Sequence, residues 1–253
     1  MRIGVCASVH HVGQAERAGF DYIECPLTEL AAMEKAEFLA VQGRLGDSAV
    51  SVEACNLFFP GLRITGPEVD GRALAEYIGR AMERAAMVGA EFVVLGNGAL
   101  RAVPDGWPVE DARSQLIFVL ECIGRYGETF GLTVLLEPLN RKETNLVNSV
   151  AEGLEMVRAV AHPRVKLLAD YYHVRMESED VASIAQAGEW IKHLHFANGI
   201  ARRFPRSVDE DEYRPFVRAC RATGSERISL EARTEDFDTD APKAVVVMRE
   251  LFS

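Results

Sequence analysis

Thr133-Val134-Leu135-Leu136-Glu137-Pro138-Leu139-Asn140-Arg141-Lys142-Glu143 is the stretch that decides how this chain is read. Val134, Leu135 and Leu136 form an unbroken apolar run, as a strand buried on both faces does. Glu137 stands where the run stops. Pro138 cannot donate to a sheet ladder and ends the strand. Asn140, Arg141 and Glu143 then open a polar loop. A carboxylate at the end of a buried strand, with such a loop beyond it, is an active-site geometry of α/β barrels. A strand-terminal Glu that merely meets water is the competing account, and the stretch alone does not separate the two.

Outward from this stretch, apolar strand-like segments recur along the chain. They are Arg2–Ala7, Tyr22–Cys25, Ala49–Cys55, Phe92–Leu95, Val165–Ala169, Ile191–Phe196 and Ile228–Ala232. Helical patterns separate most of them. One starts at Thr28, a candidate N-cap, and runs through Leu30, Met33, Phe38 and Leu39. Another puts Leu74, Tyr77, Ile78, Ala81, Met82 and Ala85 on one face. A third runs from about Val109 to Phe130 and closes at Gly131. Eight strands alternating with helices over 253 residues predict residues 1–253 as a single (β/α)8 barrel domain, with its active site at the C-terminal rim of the strands. An open doubly wound sheet would carry GxGxxG after the first strand, where this chain has Cys6-Ala7-Ser8-Val9-His10.

Composition narrows the function classes. A formal charge of −10 opposes a nucleic-acid partner, which is bound chiefly by neutralising phosphates. No apolar run approaches the ~20 residues of a membrane span, and the N-terminus enters a strand directly, without a signal-peptide pattern. The five cysteines, at 6, 25, 55, 122 and 220, show no close metal-binding spacing. They read as buried thiols of a reducing compartment. The expectation is a cytoplasmic protein with a small-molecule partner, no nucleic acid and no membrane, with homo-oligomerisation left open.

The C-terminal ends of barrel strands converge on one rim. Here they deliver Glu137 after strand five, Asp170 after six, His195 late in seven and Glu231 late in eight. Any one of these is easily structural. Three carboxylates buried together without a counter-charge would be very costly, and a divalent cation offsets that cost. Three carboxylates and an imidazole suit Mn²⁺ or Mg²⁺, with Zn²⁺ or Co²⁺ as further candidates, rather than a thiolate site. Strand alternation supports the set: Glu137 shares a face with Leu135, Asp170 with Leu168, His195 with His193 and Glu231 with Ser229. Leu136, Phe196 and Leu230 then face the helices, and His193 lies one layer deeper than His195.

The residues Glu137-Pro-Leu-Asn-Arg141, Asp170-Tyr-Tyr-His173, His193-Leu-His195 and Ser229-Leu-Glu231 resemble the xylose-isomerase-like barrel superfamily of sugar phosphate isomerases and epimerases, especially its ketose 3-epimerase branch. The resemblance implies one metal held by Glu137, Asp170, His195 and Glu231, with Glu137 and Glu231 as the acid/base pair. It also implies substrate contacts from His173, Glu143 and an Arg after strand seven. The chemistry would be proton abstraction next to a carbonyl through a metal-stabilised enediolate, returned on the opposite face to epimerise or on the neighbouring carbon to isomerise.

Two departures bear on substrate. The segment Phe196-Ala197-Asn198-Gly199-Ile200-Ala201-Arg202-Arg203 has Asn where the epimerases carry an acid, and its Arg is displaced by one. That leaves Arg202 or Arg203 for the substrate role. The first loop, Ser8-Val9-His10-His11, lacks an aromatic wall. Glu24 and Asn56 end strands two and three and are candidate substrate contacts, against a solvated strand end as the bland account. Gly96-Asn97-Gly98 with Arg101 would receive a phosphate or carboxylate, or form a tight turn that needs glycine. Three other functions share the scaffold: an inosose-type dehydratase, a non-catalytic sugar-binding barrel, and an abasic-site phosphodiesterase. The last requires more His and Asp ligands and a basic face, and this chain has only six His.

Overall fold

The computed structural model describes residues 1–253. Eight parallel strands close into one barrel in sequence order: β1 Arg2–Cys6, β2 Tyr22–Pro26, β3 Ser51–Asn56, β4 Phe92–Leu95, β5 Thr133–Leu136, β6 Val165–Asp170, β7 Ile191–Phe196 and β8 Arg227–Leu230. The expected (β/α)8 architecture is therefore present. No helix is long and apolar enough to cross a membrane.

The side-chain alternation separates two cores. Val134, Leu136, Leu194, Phe196 and Leu230 belong to the main core between strands and helices. Ala54, Phe92, Val94, Leu135 and Leu168 form a smaller apolar cluster of their own. These five have the opposite parity and fill the barrel interior. Gly4 and Tyr22, paired across β1 and β2, show how tightly that interior is filled. A Cβ on Gly4 would lie 2.2 Å from the Tyr22 ring, so no larger residue fits opposite this tyrosine.

Register explains how distant residues reach one rim. Leu136 pairs with Leu167, which sets Glu137 beside Leu168, two residues before Asp170. Asp170 pairs directly with His195. His195 pairs with Ser229, two residues before Glu231. Tilted barrel strands reach equal height only by such steps, so the four groups share a level without sharing a register.

Helices differ from the sequence reading at Thr28 and after β6, and a four-residue helix, Gly98–Arg101, follows β4. The pattern starting at Thr28 is two helices, Leu27–Ala32 and Lys35–Gly46, separated at Met33 in extended conformation. Arg84 makes the break tolerable, donating from Nη1 to the carbonyls of Leu30 (2.9 Å) and Met33 (3.0 Å). A short helix, Tyr171–Met176, also starts immediately after β6. It escaped the periodicity argument because six residues are too few to display one. The cysteines are all free, with Cys25, Cys55 and Cys220 buried, but Cys6 and Cys122 are only half-buried.

Candidate active site

Glu137 emerges one residue past β5, and its backbone is fixed before its side chain is. Its carbonyl accepts from Arg101 Nη2 at 2.7 Å. Arg101 is fully buried and donates further to the carbonyls of Gly96 (2.8 Å), Leu95 (3.2 Å), Leu146 (3.3 Å) and Val147 (3.4 Å). The guanidinium thus ties the ends of β4 and β5 to the loop beyond. It has no donor left for a phosphate or carboxylate, contrary to the sequence expectation. Gly96 is glycine for a steric reason: a Cβ there would stand 2.5 Å from Glu137 Oε2.

Asp170 ends β6 and divides its two oxygens. Oδ1 accepts from the backbone N–H of Tyr172 at 2.8 Å, capping the short helix. Oδ2 is buried and has no hydrogen-bond partner. The helix so begun carries His173, whose Nε2 lies 3.6 Å from Asp170 Oδ2 and 3.9 Å from Glu137 Oε1. His173 Nδ1 meets two donors, the backbone N–H (3.1 Å) and the side-chain amide (2.8 Å) of Asn140. Nδ1 must therefore be unprotonated, and the proton of the neutral ring sits on Nε2. Burial first, then the positive charges of Arg202 and Arg101, push the imidazole down to about 2, so it stays neutral.

His195 stands between two clusters. Its Nδ1 lies 3.4 Å from Glu137 Oε1 and 3.8 Å from Glu231 Oε2. Its Nε2 lies 2.9 Å from Glu24 Oε1 and 4.0 Å from Cys6 Sγ. Glu137, Asp170, His173 and Glu231 each offer one atom to a group within 4.8 Å of one another, a cluster that could hold a metal ion. Four buried atoms at this centre have no hydrogen-bond partner: Glu137 Oε1, Asp170 Oδ2, His173 Nε2 and His195 Nδ1. Burial, then the charges of Glu137 and Glu231, raises Asp170 to about 7. Burial, then Glu231, likewise raises Glu137.

The loop after β7 chooses between the two arginines. Asn198 Oδ1 accepts from the backbone N–H groups of Ile200 and Ala201 at 3.1 and 2.9 Å, folding the segment into a turn. Arg202, at φ +47°, points into the site. It donates to Glu231 Oε2 and Glu143 Oε1, each at 2.8 Å, with its guanidinium 4.8 Å from the centre of the Tyr172 ring. Arg203 turns away to Glu210, at 2.8 Å. Asn56 reaches Glu231 Oε1 at 3.5 Å. Asn56, Gly96, Asn97, Gly98, Glu137, Glu143, Arg202 and Glu231 are among the residues lining a cavity of about 130 Å³.

Glu24 departs from the sequence reading. It is 0% exposed, its carboxylate enclosed by His193, His195 and Ser229. Parity held the clue: Glu24 lies two residues past the inward-facing Tyr22. The structural roles of Asn140 and Arg101 were not legible for another reason. Their partners are backbone groups and a ring nitrogen that only folding brings near.

The chain matches the xylose isomerase-like TIM barrel family over residues 12–251 and belongs to it. Among curated proteins it is similar to an L-ribulose 3-epimerase of Methylomonas sp., 26% identical over 189 residues, 73% of this chain and 64% of that protein. It is also similar to a probable ketose 3-epimerase of Synechocystis sp., 30% identical over 191 residues, 72% and 63% of the two chains. A D-psicose 3-epimerase of Ruminiclostridium cellulolyticum is 35% identical over 74 residues, 29% of this chain and 25% of that one. The chain spans less than two thirds of these curated relatives. Among solved structures, a D-psicose 3-epimerase in the presence of D-fructose superposes with a TM-score of 0.86 at 18% identity, covering 100% of this chain and 99% of that one. A 3-keto-D-glucoside 4-epimerase from E. coli gives 0.85 at 19% identity, covering 99% of each. At those identities the likeness establishes the fold.

Proposed function

We propose that this protein is a divalent-metal-dependent sugar or sugar phosphate isomerase/epimerase. It would abstract a proton next to a carbonyl, with Glu137 and Glu231 as its acid/base pair. The observation that carries this reading is their common cavity of about 130 Å³, backed by buried polar atoms that no protein group satisfies. The activities of the relatives, 3-epimerases of ketose sugars, support the substrate class.

Glu137, Asp170, His195 and Glu231 would hold the ion. The partnerless Glu137 Oε1, Asp170 Oδ2 and His195 Nδ1 fit a cation, since burying such atoms unpaired is otherwise costly. Their chemistry suits Mn²⁺ or Mg²⁺, with Zn²⁺ or Co²⁺ able to use the same donors. When bound, the ion supplies a Lewis acid to offset charge developing on a carbonyl oxygen.

The remaining work belongs to the chain. Glu137 and Glu231 come from strands on different parts of the rim, so one can take a proton and the other return it. Return to the same carbon epimerises; return to its neighbour isomerises. Burial and the charge of Glu231 raise the proton affinity of Glu137, which favours its acceptance of a proton. His173 presents an Nε2–H donor to a substrate oxygen and is no ligand in that tautomer. Arg202 anchors Glu231 and Glu143, and Asn56 touches the other Glu231 oxygen.

Solvent deuterium incorporation tests this. The protein with Mn²⁺ is incubated in D₂O with ketoses, ketose phosphates and inososes, the ion is removed, and products are read by NMR beside Glu137→Gln. Label next to the carbonyl, absent from the variant, is the expected result. Label accompanied by loss of a hydroxyl would move the assignment to a dehydratase. Equal label from the metal-free protein would overturn the mechanism. His173→Ala is expected to raise KM while metal content stays unchanged.

A further inference from the structure

The geometry points to Glu24 as a positioning residue. Its buried carboxylate fixes the proton of His195 on Nε2 and so keeps the Nδ1 lone pair aimed at Glu137 and Glu231. This deepens the proposed metal-dependent reading and rests on it for its consequence, but not for its geometry.

The argument starts from donor counting. Glu24 Oε1 faces His195 Nε2 at 2.9 Å, and Oε2 faces His193 Nε2 at 2.8 Å and the Ser229 hydroxyl at 2.7 Å. Ser229 has one hydroxyl proton. The Tyr22 hydroxyl, 2.9 Å away, can donate to Ser229 while Ser229 donates to Glu24. Every group around the carboxylate can thus be a donor, which an ionised Glu accepts in full. A carboxylate met by donors on both oxygens acts as an acceptor, so His195 Nε2, the group facing Oε1, carries a proton. In the neutral ring that leaves Nδ1 with a lone pair and no partner, on the side of Glu137 and Glu231.

The same saturation excludes the competing use of His195. Cys6, Glu24 and His195 also bring one atom each within 4.8 Å of the others and could hold an ion. Such an ion would need the His195 Nε2 lone pair, which the proton blocks, and would break the bond to Glu24. Of the ring's two nitrogens, Glu24 therefore leaves Nδ1 for coordination. A carboxylate behind a ligating imidazole fixes its tautomer and raises its basicity, and losing such a partner typically lowers metal affinity about 10–100-fold.

The test is the nitrogen chemical shifts of His195, read by ¹⁵N NMR on metal-free protein, together with Mn²⁺ affinity by calorimetry. Nε2 is expected to give the shift of a protonated ring nitrogen in the wild type. A pyridine-type, unprotonated Nε2 would overturn the inference, and this measurement needs no variant to fold. In Glu24→Gln the amide can donate to Nε2, so the proton is expected to move to Nδ1 and the Mn²⁺ Kd to rise about 10–100-fold. Glu24→Asp, which keeps the acceptor charge, should recover part of that loss. Wild-type Mn²⁺ affinity in Glu24→Gln would refute the positioning role. A protonated Nε2 in a wild type that binds no Mn²⁺ would instead sink the metal-dependent reading and leave the placement of the proton standing.

Discussion

The two ends of this barrel treat buried charge in opposite ways. At the N-terminal end Glu53 is surrounded by donors: Arg2 on one oxygen, Arg2 and Arg227 on the other, and Ser51. Arg227 continues to Glu91 at 2.7 Å, and its guanidinium covers the Phe92 ring at 5.3 Å. Charges there are matched by protein. At the C-terminal end Glu137, Asp170 and Glu231 converge with one arginine, Arg202, and four buried atoms stay without partners. A site that takes up an ion, a substrate and a proton, as proposed, cannot be satisfied by its own chain beforehand. Stability and chemistry are thus assigned to opposite ends of the barrel, as in other barrels.

The largest effect that would sharpen the comparison is chemical. Glu137→Gln and Glu231→Gln are each expected to lower solvent exchange into substrate by about 10²–10⁴-fold. Their melting temperatures should be at or above that of the metal-free wild type, since a like charge is removed. A variant that loses activity by unfolding would break the contrast.

Next comes a pH effect on the metal-free protein. Asp170 is raised in the fold to about 7 by burial and by Glu137 and Glu231, against about 4 for an unfolded aspartate. Below about pH 4 both states hold the proton and the buried carboxyl carries no charge penalty. Between there and about pH 7 only the folded state retains the proton, so stability falls as pH rises. Asp170→Asn should remove that component. Denaturant titrations of wild type and variant should differ by an amount growing to about 1–3 kcal/mol by neutral pH, and a flat difference would contradict it.

Glu53→Gln tests the other end. Arg2 and Arg227 lose their shared partner, for an expected cost of about 1–2 kcal/mol. The rate of exchange into substrate should stay within about twofold, because no group at the rim moves. A large loss of activity would show the ends to be coupled. The smallest effect belongs to Arg203→Ala. Its pair with Glu210 is the kind of partly exposed contact worth about 1 kcal/mol or less, and KM should not change, whereas Arg202→Ala should raise it.

The barrel and its ring of strand-end groups were legible in the chain. Short apolar runs, several of them closed by a polar residue, state their own burial, and parity then fixes which side chains face inward. This is why Glu137, Asp170, His195 and Glu231 could be singled out from residues almost a hundred positions apart. What period and parity could not supply was height along the axis, which depends on strand tilt. Nor could they supply the partners of long side chains. Arg101 looked available for an anion, yet five backbone carbonyls consume its donors.

Arg202 and Arg203 are adjacent and chemically identical in the sequence. A turn held by Asn198, with Arg202 in left-handed conformation, sends one into the site and the other to Glu210. Glu24 looked like a strand end open to substrate, and the closed barrel buried it beneath His195. Local pattern determined the elements and their inward faces, because those depend on neighbours in sequence. Only tertiary structure decided which polar atoms were used up and which were left free, because hydrogen-bond partners are assigned by distance in space.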